Sequence, residues 1–157
     1  MMKLIFLVLL AGILLLGGCE QHEENNMYIG MEQNTIPDLT VGTEMEYIHE
    51  FRGHSDHWAA VYIVYKPQGE ENHTSKLMMK YISKKLNPSG ELRYEYDTDG
   101  GEDGNGTLSS VDKAGHVYNL GSSGGNGQSA NPKSPLQMHV WWNGDEETIQ
   151  LDLVGKE

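Results

Sequence analysis

The chain has 157 residues and a formal net charge of −12, from 23 acidic and 11 basic side chains, and it contains a single cysteine. A surface this acidic repels nucleic acid and anionic lipid headgroups over a screening length of about 8 Å at physiological salt, which excludes a nucleic-acid role. One cysteine allows no intrachain disulfide, so the folded part must stand on its hydrophobic core.

The first residues set the location. Lys3 precedes an apolar run from Leu4 to Leu16, thirteen residues long. A membrane-spanning helix needs about 20, whereas a run of this length suits the hydrophobic region of a signal peptide. Gly17 and Gly18 then lead into Cys19 and an abruptly polar segment, EQHEENN. This stretch resembles a bacterial lipoprotein signal, although Gly17 stands where Ala or Ser is more usual. The resemblance implies that residues 1–18 are removed and that Cys19 carries a diacylglyceryl group and palmitate-type acyl chains. Two or more chains, at about 0.8 kcal/mol per buried methylene, hold a protein on a membrane without further help. The expected location is the extracytoplasmic face of the cell membrane. Cleavage would remove Lys3 alone among the charges, leaving ten basic and 23 acidic residues and a formal charge of −13.

Residues 19–43 are acidic, lack Lys and Arg, and show no sustained period. They read as a flexible tether, roughly 25–30 Å in r.m.s. length, with Ile36, Leu39 and Val41 available to pack against the domain beyond it. From residue 44 to 157 the period becomes two, and roughly 115 residues suffice for one domain that buries roughly 60–70% of its extended surface. In TEMEYIHEF, Met45, Tyr47, His49 and Phe51 share one face, opposite Glu44, Glu46 and Glu50. HWAAVYIVY is apolar on both faces, as a strand between two layers is. SKLMMKYISKKL, residues 75–86, spaces Lys76, Lys80 and Lys84 as on a helix face but also alternates Leu77, Met79 and Tyr81. Twelve residues are short for a helix in water, and a strand is the preferred reading. ELRYEY alternates cleanly, and shorter strands come next at GTLSSV and HVYNL. The Gly-, Ser- and Pro-rich residues 121–135 read as a long loop. In LQMHVWWNGDEETIQLDL, Asn143-Gly144 marks a two-residue hairpin turn, because a type I′ turn needs φ > 0 at both central positions. About seven to eight short strands and no convincing helix predict an all-β, antiparallel β-sandwich of immunoglobulin-like type.

The segments EFRGHSDHW, GELRYEY, GSSGGNG and VWWNGDEETIQL together resemble a group of uncharacterised lipoproteins from Bacillus-type Gram-positive bacteria. The pattern falls on Phe51, Gly53, Ser55 and Trp58, and on Trp142, Asn143 and Gly144 at the terminal hairpin. The resemblance implies a cell-surface β-sandwich and no activity. A tight turn accounts for Gly53, and core packing for Trp58.

Three sets of side chains could carry chemistry. Ser55, Asp56 and His57 are the residue types of a hydrolase triad, but triad members converge in space and consecutive strand residues alternate sides. His49, His54, His57, His116 and His139, with Met78, Met79 and Met138, offer copper-type ligands without a ligand spacing. In YEYDTDGGEDGNGTL, Asp97, Asp99, Asp103 and Asn105 offer oxygens for calcium, but Gly101 and Glu102 stand where an EF-hand needs an oxygen and a glycine. These readings leave no catalytic residue and no required cofactor or metal. The leading expectation is a non-catalytic, lipid-anchored binding module with a protein partner. A metal-handling lipoprotein, for copper or calcium, is the alternative. A further one is an inhibitor of a basic secreted protein such as a lysozyme.

Overall fold

The structure, a computed structural model, describes residues 26–85, 87–100 and 102–155. The expected signal sequence, Cys19 and the start of the expected tether lie outside the described residues. Eight antiparallel strands run in chain order: β1 (Met45–His54), β2 (Trp58–Pro67), β3 (His73–Tyr81), β4 (Leu92–Asp97), β5 (Gly104–Leu108), β6 (Val117–Gly125), β7 (Leu136–Trp142) and β8 (Asp145–Leu153). They form one sheet in the order β5-β4-β7-β8-β1-β2-β3-β6. The sheet curls on itself into a nearly closed, barrel-like sandwich whose two halves face each other, consistent with an immunoglobulin-like arrangement.

The predicted alternation explains the curl. Trp58, Ala60, Tyr62 and Val64 of β2 point into the same core as Leu92 and Tyr94 of β4 and Leu136, Met138, Val140 and Trp142 of β7. Burying one large apolar side chain contributes about 1.5–3 kcal/mol, so the inward face of each strand has strong reason to meet the opposite half. Trp58 and Trp142 meet edge to face, their ring centroids 5.6 Å apart. The Asn143-Gly144 turn closes β7–β8 with φ of 50° and 84°, as a type I′ turn requires. Residues 73–81 are a strand, in register with β2 and β6. A lysine spacing of four fits a two-residue period as well as a helical one.

Three details depart from the sequence reading. Residues 121–125 are not loop but the end of β6, paired with β3 from His73 to Leu77. Gly53 lies within β1, and its constraint is space: an added Cβ would sit 1.9 Å from the Gln150 carbonyl oxygen of β8. The third is the C-terminal part of the expected tether. Tyr28, Met31 and Ile36 are buried in a second apolar cluster with Ala59, Val61, Ile63 and Tyr65 of β2 and Met78 of β3. The layer that covers the outer face of β2 is therefore this N-terminal segment, which includes a 3-10 turn at Gln33–Thr35 and one α-helical turn at Pro37–Thr40.

Polar clasps hold the segment in place. Gln33 Nε2 donates to Glu50 Oε2 at 2.7 Å, and the Arg52 guanidinium lies 5.1 Å from the centroid of the Tyr28 ring. Tyr65 donates to Asp38 Oδ2 at 2.7 Å. Burial, then this bond, pushes the Tyr65 phenol up to about 12. Val41, also a packing candidate, remains 75% exposed.

Candidate functional site

The barrel has two polar poles. At the first, the β1–β2 connection meets the β7–β8 hairpin. The inward face of β8 runs through Leu151 and Ile149, and its next inward position is Glu147. That carboxylate lies under the β1–β2 turn, where it accepts hydrogen bonds from Ser55 Oγ and His57 Nδ1, and from His57 N at 3.3 Å. Ser55 N donates to the Trp58 carbonyl at 2.8 Å. The His57 ring lies 5.6 Å from Trp142 and 6.0 Å from Tyr81. All the motif residues thus serve this region: Phe51 and Gly53 where β1 meets β8, Ser55 on Glu147, Trp58 on Trp142, and Asn143-Gly144 turning the chain toward Glu147.

The connectivity matters chemically. Glu147 stands between hydroxyl and imidazole, whereas a nucleophilic serine needs the imidazole hydrogen-bonded to its own oxygen. Asp56, the carboxylate of the sequence triad, takes no part in these bonds.

The second pole contains the acidic loop. Glu102 accepts from Tyr62 OH at 2.5 Å and from His73 Nε2 at 2.6 Å, and its own N–H donates to Thr98 Oγ1 at 3.2 Å. His73 and Tyr62 are 3% and 1% exposed, so a carboxylate from the loop satisfies two buried polar groups at once. Burial first, and the Glu102 bond second, hold the Tyr62 phenol well above the usual tyrosine value. A phenol with a raised folded value contributes stability that is complete below about pH 10 and lost as the pH climbs through that folded value.

Two glycines of β5, next to the loop, have a packing reason. Gly106 and Gly104 pair directly with Tyr94 and Tyr96, and an added Cβ would lie 2.5 Å from the Tyr94 hydroxyl at the first and 2.5 Å from the Tyr96 ring at the second. The tyrosines lie across β5 toward β6, where Tyr94 OH donates to the Leu120 carbonyl.

Asp97, Asp99, Asp103 and Asn105 are all exposed, and Asp97 Oδ1 accepts from the Asp99 N–H at 2.8 Å in a local turn. Among the described residues no three His, Cys, Asp or Glu side chains gather as a metal would require. The histidines are dispersed: His49 stacks on Tyr47 at 5.0 Å, His116 meets Tyr118 at 4.8 Å, and His139 stacks on Trp141 at 5.9 Å.

Removing the Glu102 carboxylate is expected to deprive buried His73 and Tyr62 of this acceptor. Glu102→Ala should destabilise the fold by about 1–3 kcal/mol, read as a lower denaturant midpoint, with Glu102→Gln recovering part of the loss. An unchanged midpoint for Glu102→Ala would show that the loop is not held by this contact.

The outer face of β4–β7 carries the remaining aromatic feature. Trp141 points away from the core, opposite Arg93 in the β4–β7 register, with the guanidinium 4.3 Å from its ring centroid. His139, stacked behind it, is hydrogen-bonded through Nδ1 to Thr148 Oγ1 at 3.1 Å. Exposed carboxylates at Glu91, Glu95, Asp145 and Glu146 surround this row, and a shallow concavity of about 380 Å³ opens beside the hairpin turn. Sequence reasoning leaves Trp141 without an assignment, because alternation shows that it opposes Trp142 but not which strand lies beside it. The chain matches no protein-family model, no curated protein and no solved structure.

Proposed function

We propose that this protein is a non-catalytic, lipid-anchored binding module on the extracytoplasmic face of the membrane. The Trp141 row is its contact surface. The observation that carries the reading is that row: a tryptophan, an arginine and a histidine stacked in register on an outward sheet face. Rigid aromatic and Arg side chains of this kind supply most of the binding free energy in protein interfaces. The ring of carboxylates about it favours a basic partner, in line with the inhibitor-type expectation. The lipoprotein-like N-terminus, with Cys19 as its only thiol, supports the anchor. The carboxylate-bridged arrangement of Ser55 and His57 supports a non-catalytic reading.

Two measurements test it. Fatty-acid labelling should be lost in Cys19→Ala; label retained in that variant would sink the anchor. Titration with lysozyme, as a basic probe protein, should show binding that weakens with salt and falls about tenfold or more in Trp141→Ala. Binding that ignores both salt and Trp141 would reject the surface.

A further inference from the structure

Beside the first pole lies an open groove of about 870 Å³, whose lining includes Asn26, Met27, Asp56, Lys80, Lys84 and Lys85. Three of the chain's 11 basic residues meet here, in a molecule that is otherwise strongly acidic. Lys84 and Lys85 are exposed. Lys80 is 7% exposed, and its ammonium donates to the carbonyls of Ile29 at 2.9 Å and Asn26 at 3.3 Å. None of the three forms an ion pair among the described residues. Among the described residues Asp56 is the one carboxylate of the lining.

The position of the groove decides its partner. Asn26 and Met27 are both part of its wall and the first described residues after Cys19. Six residues, 20–25, separate Cys19 from Asn26. A chain extends at most about 3.3–3.6 Å per residue, so the Cys19-to-Asn26 span cannot exceed roughly 25 Å. With the subsequent segment folded onto β2, the slack of a long tether is gone. The groove wall is where the leash enters the domain.

We propose that the exposed Lys84–Lys85 rim of this groove docks an anionic phospholipid headgroup, seating the domain on the membrane with its groove side down. This rests on the reading of Cys19 as the lipid-anchored residue. Each lysine near an anionic bilayer favours the seated state by roughly fivefold.

The test uses the full lipidated chain, bound first to phosphatidylcholine vesicles and then to vesicles that also contain phosphatidylglycerol. Amine-reactive footprinting should show Lys84 and Lys85 protected about fivefold or more on the anionic vesicles. Lys133, in the loop before β7 at the opposite pole, should react equally on both. Protection should vanish in about 1 M salt, where the screening length is about 3 Å. An environment-sensitive dye on Asn87→Cys, at the groove rim, should shift on anionic vesicles. It should lose that shift when Lys84→Glu and Lys85→Glu are added. Both lysines are exposed, so these changes leave the core intact. Flotation with both vesicle types but equal lysine reactivity would overturn the docking alone. Flotation with neither would overturn the anchor, and the docking with it. The same protection produced by inorganic phosphate on detergent-solubilised protein would assign the groove to free phosphate and overturn the lipid headgroup.

Discussion

Gly53→Ala is expected to lower stability by about 3 kcal/mol or more, a large share of the roughly 5–15 kcal/mol that holds a domain together. The two halves of the sheet are joined where β1 meets β8, through the pairs Phe51–Leu153 and Arg52–Asp152 and the bond from Val154 N to the Glu50 carbonyl at 2.8 Å. Immediately beyond, β8 passes so close to Gly53 that a methyl group would lie 1.9 Å from Gln150 O and 3.0 Å from Leu151 Cα. The obstacle is backbone, so no rotamer change relieves it. Only parting β1 from β8 would, and that opens the core where Phe51 and Leu151 are fully or almost fully buried. Gly53 is not among the positive-φ glycines, so the cost comes from volume and not from conformation. Gly127→Ala is the control: nothing lies within 4 Å of its added Cβ, and its change should stay within about 0.5 kcal/mol. Equal denaturant midpoints for the two variants would refute the close-approach account.

Periodicity encodes only part of this architecture. Alternation assigns a face to each residue, and it finds eight strands, the inward Trp58 and the Asn143-Gly144 turn, although it sets the fifth strand at 106–111 where β5 is Gly104–Leu108. It does not say which strands become neighbours. Ser55 and Glu147 are 92 positions apart, and Tyr62 and Glu102 are 40 apart. The first exists because β1 adjoins β8 and the second because the two halves of the sheet face each other, so Glu102 reads only as a mismatch in a calcium loop when its partners are a buried phenol and imidazole. Composition misleads in a different way at residues 121–125. An edge strand needs backbone hydrogen bonds more than side chains, and at Gly124 a Cβ would approach the His73 carbonyl oxygen to 2.7 Å. Glycine there is a requirement of pairing, yet by composition it looks like loop. Gly53 misleads similarly, since a glycine before a turn suggests φ when the real constraint is a crossing strand.

The N-terminal segment is where the sequence and the structure differ most in consequence, and Ile36→Asp separates them. Were residues 19–43 a free tether, a charge at position 36 would change stability by no more than about 0.5 kcal/mol, as at other unconstrained surface sites. In the structure Ile36 is 2% exposed and belongs to the cluster that covers Ala59, Val61, Ile63 and Tyr65. A carboxylate there cannot stay buried without a partner, so the segment must lift off. Lifting uncovers the outer face of β2, which forfeits about 1.5–3 kcal/mol for each large side chain exposed. The expected loss is about 4 kcal/mol or more, with proteolytic cleavage appearing between residues 26 and 43. Val41→Asp is the matched control, since that side chain is 75% exposed and should tolerate the charge. Equal stability and equal protease resistance for the two variants would return the segment to a tether. The same variant bears on the membrane pole. Freeing residues 26–43 lengthens the leash of the proposed anchor about three-and-a-half-fold in contour and removes Asn26 and Met27 from the lysine groove. A domain that is seated by a short leash should therefore lose its orientation together with its stability.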